Sequence, residues 1–194
     1  MIGYWQERVR MAGLYLCNSN TGRILEIGCG LGLFLDKILR SRPRLNIFGI
    51  DSSIEIISEA KRRLGDKASL IQADAMRSPF LDNIFDSVVC INLLYNLSKE
   101  ESYIALKEAI RVCKINGEIV FEIRNSLNLL VKLKYKLTRY YDPTAVVHPL
   151  ITHNSQEVIN FLETHGCKVI DRVNIGFPRN RFAPIIVLKI KKYR

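Results

Sequence analysis

The sequence predicts an α/β protein built on a doubly wound, mostly parallel sheet, and three observations carry that expectation. Short apolar runs alternate with segments of helical spacing, the order that right-handed strand–helix–strand crossovers produce. The first run, Ile24, Leu25 and Ile27, has the apolar character of a strand buried on both faces. The first strand is followed by Gly28, and the second and third end in Asp51 and Asp74, at the end where open α/β sheets bind ligands.

Tyr4 to Cys17 has helical spacing at Val9, Ala12 and Leu16, and is expected to lie over the ligand mouth or to seal a sheet edge. The turn cluster Asn18 to Gly22 ends it. Arg23 to Ile27 is the first strand, and the turn Gly28-Cys29-Gly30-Leu31-Gly32 leads into a helix that Pro43 has stopped by Ser41. A strand that breaks into glycines and re-enters a helix brings bare backbone N–H groups close to a ligand. Leu45 to Asp51 is the second strand. Ser52-Ser53 starts a helix with Ile54, Ile57, Ala60 and Leu64 in register, stopped by Gly65.

Ala68 to Asp74 is the third strand and Phe85 to Asn92 the fourth. Ser98 with Glu101 is a capping-box signal for the helix that follows. Asn116-Gly117 is expected to turn that helix into a fifth strand, Glu118 to Ile123. Beyond it, Leu127 to Tyr141 is an amphipathic helix, and Asn154 or Ser155 caps another that runs to His165-Gly166. Lys168 to Val173 and Ile185 to Ile190 form a closing hairpin-like pair, with one strand antiparallel to the rest.

Charge and cysteine content narrow the classes. The chain has 194 residues, enough for one domain with a substantial core, and a net charge of +10. Residues 1–124 carry 17 Lys and Arg against 15 Asp and Glu, whereas residues 125–194 carry 12 against 4. The basic excess therefore sits away from the glycine turn and points to an anionic partner. The first eight residues place charges where a leader peptide has its apolar core, and no apolar run approaches the ~20 residues of a membrane span, so a cytoplasmic protein is expected. The five cysteines are scattered with no C-x-x-C pair, which argues against a disulfide framework or a metal site and for small buried side chains.

The glycine pattern decides among nucleotide-type ligands. A hydride-transfer fingerprint needs G-x-G-x-x-G, but its third position is Leu33. No G-x-x-x-x-G-K-[ST] stretch is present, which excludes a P-loop. The pattern is E-x-G-x-G-x-G, from Glu26 to Gly32, followed by Asp51 and Asp74.

Across residues 23–124 the sequence resembles the class I S-adenosylmethionine-dependent methyltransferases. E-I-G-C-G-L-G is similar to that family's first motif, F-D-S-V-V-C-I-N to its fourth strand, and R-V-C-K-I-N-G-E-I-V-F-E-I to its fifth-strand region. The resemblance implies a Rossmann-like seven-stranded sheet of order 3-2-1-4-5-7-6 with the last strand antiparallel, in an α/β/α sandwich. It implies S-adenosyl-L-methionine as cofactor, with Glu26, Gly28, Gly30 and Gly32 around its methionine part and Asp51 on the ribose hydroxyls. Ser52, Asp74 and Ala75 would lie at the adenine, and Ile91 and Asn92 between cofactor and substrate. The expected organisation is one domain over 1–194, with an N-terminal helix (1–22), a cofactor-binding core (23–124) and a substrate-side part (125–194).

Methyl transfer from a sulfonium needs alignment more than acid–base chemistry, so no catalytic residue is fixed; the candidates are Asn92, Tyr95 and His148, with His153 expected to pack. Asn92-Leu93-Leu94-Tyr95 matches the N-P-P-Y motif of amino-methylating enzymes only at its ends, which argues against methylation of nucleic-acid bases. On a helical wheel Leu130, Leu133, Leu137, Tyr140 and Tyr141 share one side of the 127–141 helix, and Lys132, Lys136 and Arg139 the other. That helix either packs its leucines on the sheet or acts as a lid toward an anionic or lipid-linked substrate or membrane surface. The expected activity is methyl transfer to a small-molecule or lipid- or glycan-linked acceptor. The alternatives are an RNA or protein methyltransferase and a non-catalytic cofactor-binding homologue; no stacking platform or appended module supports RNA.

Overall fold

The computed structural model describes residues 2–18, 21–138, 140 and 150–194. In chain order the elements are α1 (Ile2–Leu16), β1 (Gly22–Ile27), α2 (Leu33–Ser41), β2 (Leu45–Asp51), α3 (Ile54–Leu64), β3 (Ala68–Gln72), β4 (Phe85–Cys90), α4 (Lys99–Val112) and β5 (Cys113–Arg124). They continue with α5 (Leu129–Thr138), α6 (Ser155–Thr164), β6 (Cys167–Ile175) and β7 (Ile185–Lys192). The seven strands form one sheet of order β3-β2-β1-β4-β5-β7-β6. Only β7 runs against its neighbours, pairing antiparallel with both β5 and β6.

The pleat divides the core into two layers. Leu25 and Ile27 of β1, Val88 and Cys90 of β4, and Phe121 of β5 point to the face covered by α4 and α6. Ile24, Val89 and Val120 alternate with them and meet α1, α2 and α3 on the other face. Burial on both faces explains why these strands are continuous apolar runs rather than alternating ones. All five cysteines are free and buried within these layers.

Local chemistry fixes the helix starts. Ser98 accepts the Glu101 N–H at 3.2 Å and Glu101 Oε2 accepts the Ser98 N–H at 2.8 Å, a complete capping box. Asn154, rather than Ser155, caps α6 by accepting from the Gln156 N–H.

Several boundaries differ from expectation for identifiable reasons. Of the two placements expected for α1, it takes the one over the mouth: it packs across β5, β6 and β7 and against α2, over one face, with Gln6 and Arg10 at the C-terminal strand ends. β3 stops at Gln72, because Asp74 Oδ1 takes the Met76 N–H at 2.8 Å and bends the chain into a turn. β4 stops at Cys90, since Asn92 adopts a left-handed φ of 59° that no strand accommodates. Asn116-Gly117 does not precede β5 but lies inside it: pairing with β4 jumps from Phe85–Cys113 to Ser87–Glu118, and the intervening residues bulge out.

Of the helix expected over 127–141, the described residues show Leu129–Thr138, with Asn128 Oδ1 accepting the Val131 N–H at 2.9 Å at its start. Its leucines do not pack on the sheet: Leu129, Leu130, Leu133 and Leu137 are all exposed. Arg139, Tyr141 and His148 lie outside the described residues. Among the described residues no helix is long and apolar enough to cross a membrane.

Candidate active site

Strand order reverses between β1 and β4, since α2 and α3 lead away on one face and α4 on the other. A crevice opens at the C-terminal ends of these two strands. The turn after β1 is anchored to β2, whose Ile50 carbonyl accepts the N–H groups of Gly28 (2.8 Å) and Cys29 (2.9 Å). Gly28 has φ 73°, and a Cβ there would stand 2.8 Å from Leu93 Cδ1, so only glycine lets the β4 loop close on the turn. Gly30 has φ 51° and open space where its Cβ would be, so its bare backbone faces the crevice.

Asp51 is placed by the β1–β2 register, in which Ile27 stands opposite Ile50 and the next residue meets the turn. Its Oδ2 accepts the Gly30 N–H at 2.9 Å and its Oδ1 the Ser53 N–H at 3.2 Å. The carboxylate is thus oriented by backbone on one side and retains lone pairs toward the crevice.

A cleft of about 230 Å³ results, and Glu26, Gly28, Gly30, Asp51, Ile91 and Asn92 all line it. Gly32 is set back as the N-cap of α2. Ser52, Asp74 and Ala75 are outside this lining, along the turns that follow β2 and β3. A larger depression of about 630 Å³ between α2 and α3 borders Pro43 and Leu45, at the opposite end of β2, and meets neither the turn nor the acids. Position at the strand ends, not size, identifies the candidate site.

Two cleft residues, Gln6 and Arg10, come from α1 and escape a reading of local motifs. Their i, i+4 spacing, on a helix otherwise apolar toward the sheet, is the one signal that could have found them. Arg10 donates from Nε to Glu7 Oε2 at 3.0 Å. Glu26 is buried, and its Oε2 has no hydrogen-bond partner. Burial holds its carboxyl well above the usual range, opposed by the charge of Arg10 and reinforced by those of Asp51 and Glu122.

The opposite wall rests on a buried polar cluster. The Asn92 N–H donates to Glu122 Oε2 at 2.8 Å. Glu122 is fully buried, and burial raises its carboxyl against the opposing charge of Arg124, whose Nη2 lies 3.8 Å from Oε1. Arg124 Nη2 is also 3.5 Å from Asn92 Oδ1, and its guanidinium stacks 4.3 Å over the Tyr95 ring. Gln6 Nε2 donates to the Tyr95 hydroxyl at 3.5 Å, tying α1 to this wall. Glu122 and Arg124 were not singled out from sequence; they share a strand face with Val120, and only the pleat identifies them.

His153 sits apart from the cleft. Its backbone N–H donates to the Arg124 carbonyl at 2.7 Å, and neither ring nitrogen has a partner. Burial lowers its pKa to about 4 and keeps the ring neutral at pH 7. Among the described residues no group of three His, Cys, Asp or Glu side chains could hold a metal ion.

Residues 24–117 match the family model described as a methyltransferase domain. The chain is 35% identical over 108 residues to a phosphatidylethanolamine N-methyltransferase of Cereibacter sphaeroides, covering 53% of this chain and 51% of that one. It is 32% identical over 116 residues to a demethylmenaquinone methyltransferase of Thermotoga maritima, covering 60% and 48%. The chain thus spans about half the length of these curated relatives. A solved complex between the Haloferax volcanii Trm112 methyltransferase activator and a methyltransferase named there as putative superposes with a TM-score of 0.77 at 16% identity, covering 99% of this chain and 93% of that one, a likeness that speaks for the fold alone. The matched segment contains the E-x-G-x-G-x-G turn and both aspartates, and the sheet around it has the order the sequence implied. Over residues 24–117, then, the chain is similar to the methyltransferase-domain family, and its sheet has the order expected of the class I S-adenosylmethionine-dependent enzymes.

Proposed function

We propose that this chain transfers a methyl group from S-adenosyl-L-methionine to a small-molecule or lipid- or glycan-linked acceptor. The observation that carries the reading is the juxtaposition of Asp51, Gly30 and the unpartnered Glu26 carboxyl in one cleft at the β1–β4 switch point. The open space over Gly30 and the orphaned Glu26 oxygen fit a ligand with a cationic amino-acid end and a ribose.

In this reading Asp51 accepts the two ribose hydroxyls, oriented by the N–H groups of Gly30 and Ser53. Glu26 faces the ammonium and Arg10 the carboxylate of the methionine part. Asp74, Ala75 and Ser52 border the adenine beyond the end of the cleft. The cofactor supplies an electrophilic methyl on a sulfonium, so the chain's own work is alignment and exclusion of water. Asn92 and Tyr95 form the acceptor wall, held by Glu122, Arg124 and Gln6. The relatives named above as acting on a phospholipid and on a quinone support a lipid-type acceptor, as do the exposed leucines of α5, Leu129, Leu130, Leu133 and Leu137.

Calorimetric titration of S-adenosylmethionine into the purified chain tests this. Saturable binding that Asp51→Ala weakens is expected. Absence of binding overturns the reading, and binding without methyl transfer to any extract fraction favours a non-catalytic homologue.

A further inference from the structure

Two segments leave the sheet at the same end as the cleft and are joined to each other. One is residues 126–138, which contains α5; the other is the β6–β7 loop, 176–184. Asn125 Nδ2 donates to the carbonyls of Arg181 (2.8 Å) and Ala183 (2.9 Å), and Asn128 Nδ2 to that of Phe182 (2.9 Å). The Asn125 N–H donates to the Pro184 carbonyl at 3.0 Å. The loop is therefore pinned to the start of α5. Both leave from β5 and β7, where Arg124 pairs with Ile185 beside the Asn92 wall.

α5 is amphipathic, but it is turned outward. Val131 and Tyr135 are its half-buried residues, while Leu129 (77%), Leu130 (76%), Leu133 (53%) and Leu137 (42%) are exposed. At about 100° per residue these leucines form one stripe, flanked by Lys132 and Lys136 on one side and Lys134 on the other. The loop adds Phe177, 87% exposed, and Phe182, over whose ring Arg181 stacks at 4.7 Å. With Arg179, the two segments hold five basic residues and no Asp or Glu.

An outward apolar stripe between rows of long cations matches the boundary of an anionic bilayer: leucines and phenylalanines enter the acyl region, and Lys and Arg reach up to headgroup phosphates. A protein partner would need a groove lined by carboxylates around an apolar floor. A bilayer supplies both the apolar depth and a uniform negative charge.

We propose that α5 and the 176–184 loop together dock on an anionic membrane surface and hold the cleft toward an acceptor carried in that membrane. The docking half stands alone; the acceptor half rests on the methyl-transfer reading above.

The test is co-sedimentation of the full chain with vesicles of phosphatidylcholine alone or with about one-third phosphatidylglycerol. Binding is expected only to the anionic vesicles and is expected to weaken as salt rises. Lys132→Gln, Lys136→Gln and Arg179→Gln should each lower the partition coefficient about fivefold. The double variant Leu130→Glu/Leu133→Glu should abolish binding. Thermal unfolding and S-adenosylmethionine calorimetry on each variant should match the unaltered chain, because the substituted side chains are exposed and outside the cleft. No binding to anionic vesicles, or undiminished binding by the double glutamate variant, overturns the proposal. Salt-sensitive retention on single-stranded RNA without vesicle binding also overturns it and assigns the basic excess to nucleic acid. Vesicle binding by a chain that ignores S-adenosylmethionine overturns the methyl-transfer reading and leaves the docking surface standing.

Discussion

The Asn92 N–H donates to the fully buried Glu122 carboxylate at 2.8 Å, across the sheet from the end of β4 to the interior of β5. Asn92 holds a left-handed φ of 59°, and this bond stabilises that conformation from beneath. Glu122→Ala should leave both the Asn92 N–H and the buried Arg124 guanidinium short of a partner, costing about 3 kcal/mol in urea unfolding. Glu122→Gln can still accept the N–H and should cost less. Equal losses in the two variants would show that the carboxamide does not replace the carboxylate.

Asp51 and Asp74 should not be equivalent. Asp51 is fixed within the cleft by two backbone donors, whereas Asp74 lies outside it and is engaged with the Met76 N–H. Asp51→Ala should weaken S-adenosylmethionine binding by about 30-fold or more, the worth of charged hydrogen bonds to two hydroxyls. Asp74→Ala should cost about tenfold or less. Calorimetry on the two variants measures both, and a larger loss at Asp74 would relocate the principal anchor.

The two glycines of the turn should fail differently. Gly28→Ala places a methyl group 2.8 Å from Leu93 Cδ1 and should destabilise the fold by about 2 kcal/mol. Gly30→Ala meets nothing within 4 Å, so its penalty to stability should be only the left-handed strain, about 1 kcal/mol. Its loss should appear mainly in cofactor affinity, because the added methyl group occupies the crevice. Thermal unfolding and calorimetry on the pair separate the two effects.

Cofactor binding should release a proton near Glu26. Burial first, then the negative charges of Asp51 and Glu122, raise its carboxyl in the free chain, and an arriving ammonium favours the ionised form. Binding enthalpies measured near neutral pH in buffers of different ionisation heat should reveal that release. It should vanish in Glu26→Gln; an unchanged buffer dependence there would assign the proton elsewhere.

His153 should make the fold sensitive to acid. Its folded pKa, about 4, lies below the ordinary value of 6.5, so the unfolded chain binds the proton more readily. The stabilisation is complete above about pH 6.5 and is lost as pH falls toward 4. The difference amounts to roughly 3 kcal/mol over that window. Urea midpoints across it should fall less steeply for His153→Gln than for the unaltered chain.

What was legible in the sequence is what depends on near neighbours along the chain. The apolar run Ile24 to Ile27, the left-handed glycines and the Ser98–Glu101 cap each state their conformation within a few residues. Their order along the chain was enough, with the family resemblance, to imply the sheet. The same locality misled at Asn116-Gly117, where turn chemistry was real but pairing resumed on both sides, and at Asp74, whose side chain bends the backbone it was expected to extend.

By itself, then, the sequence determined the strand–glycine-turn–helix unit, the acidic residues at the end of β2 and just beyond β3, and the two-layer burial of the sheet, because backbone preference and apolar periodicity are properties of the chain. Only the tertiary structure decided that Gln6 and Arg10 reach a cleft formed by residues up to 90 positions away, or that Glu122 and Arg124 support its far wall. It also decided which way α5 faces. A helical wheel shows that leucines and lysines separate, but not which side meets protein; that depends on where Asn125 and Asn128 find their partners in the 176–184 loop, a contact more than 50 residues distant.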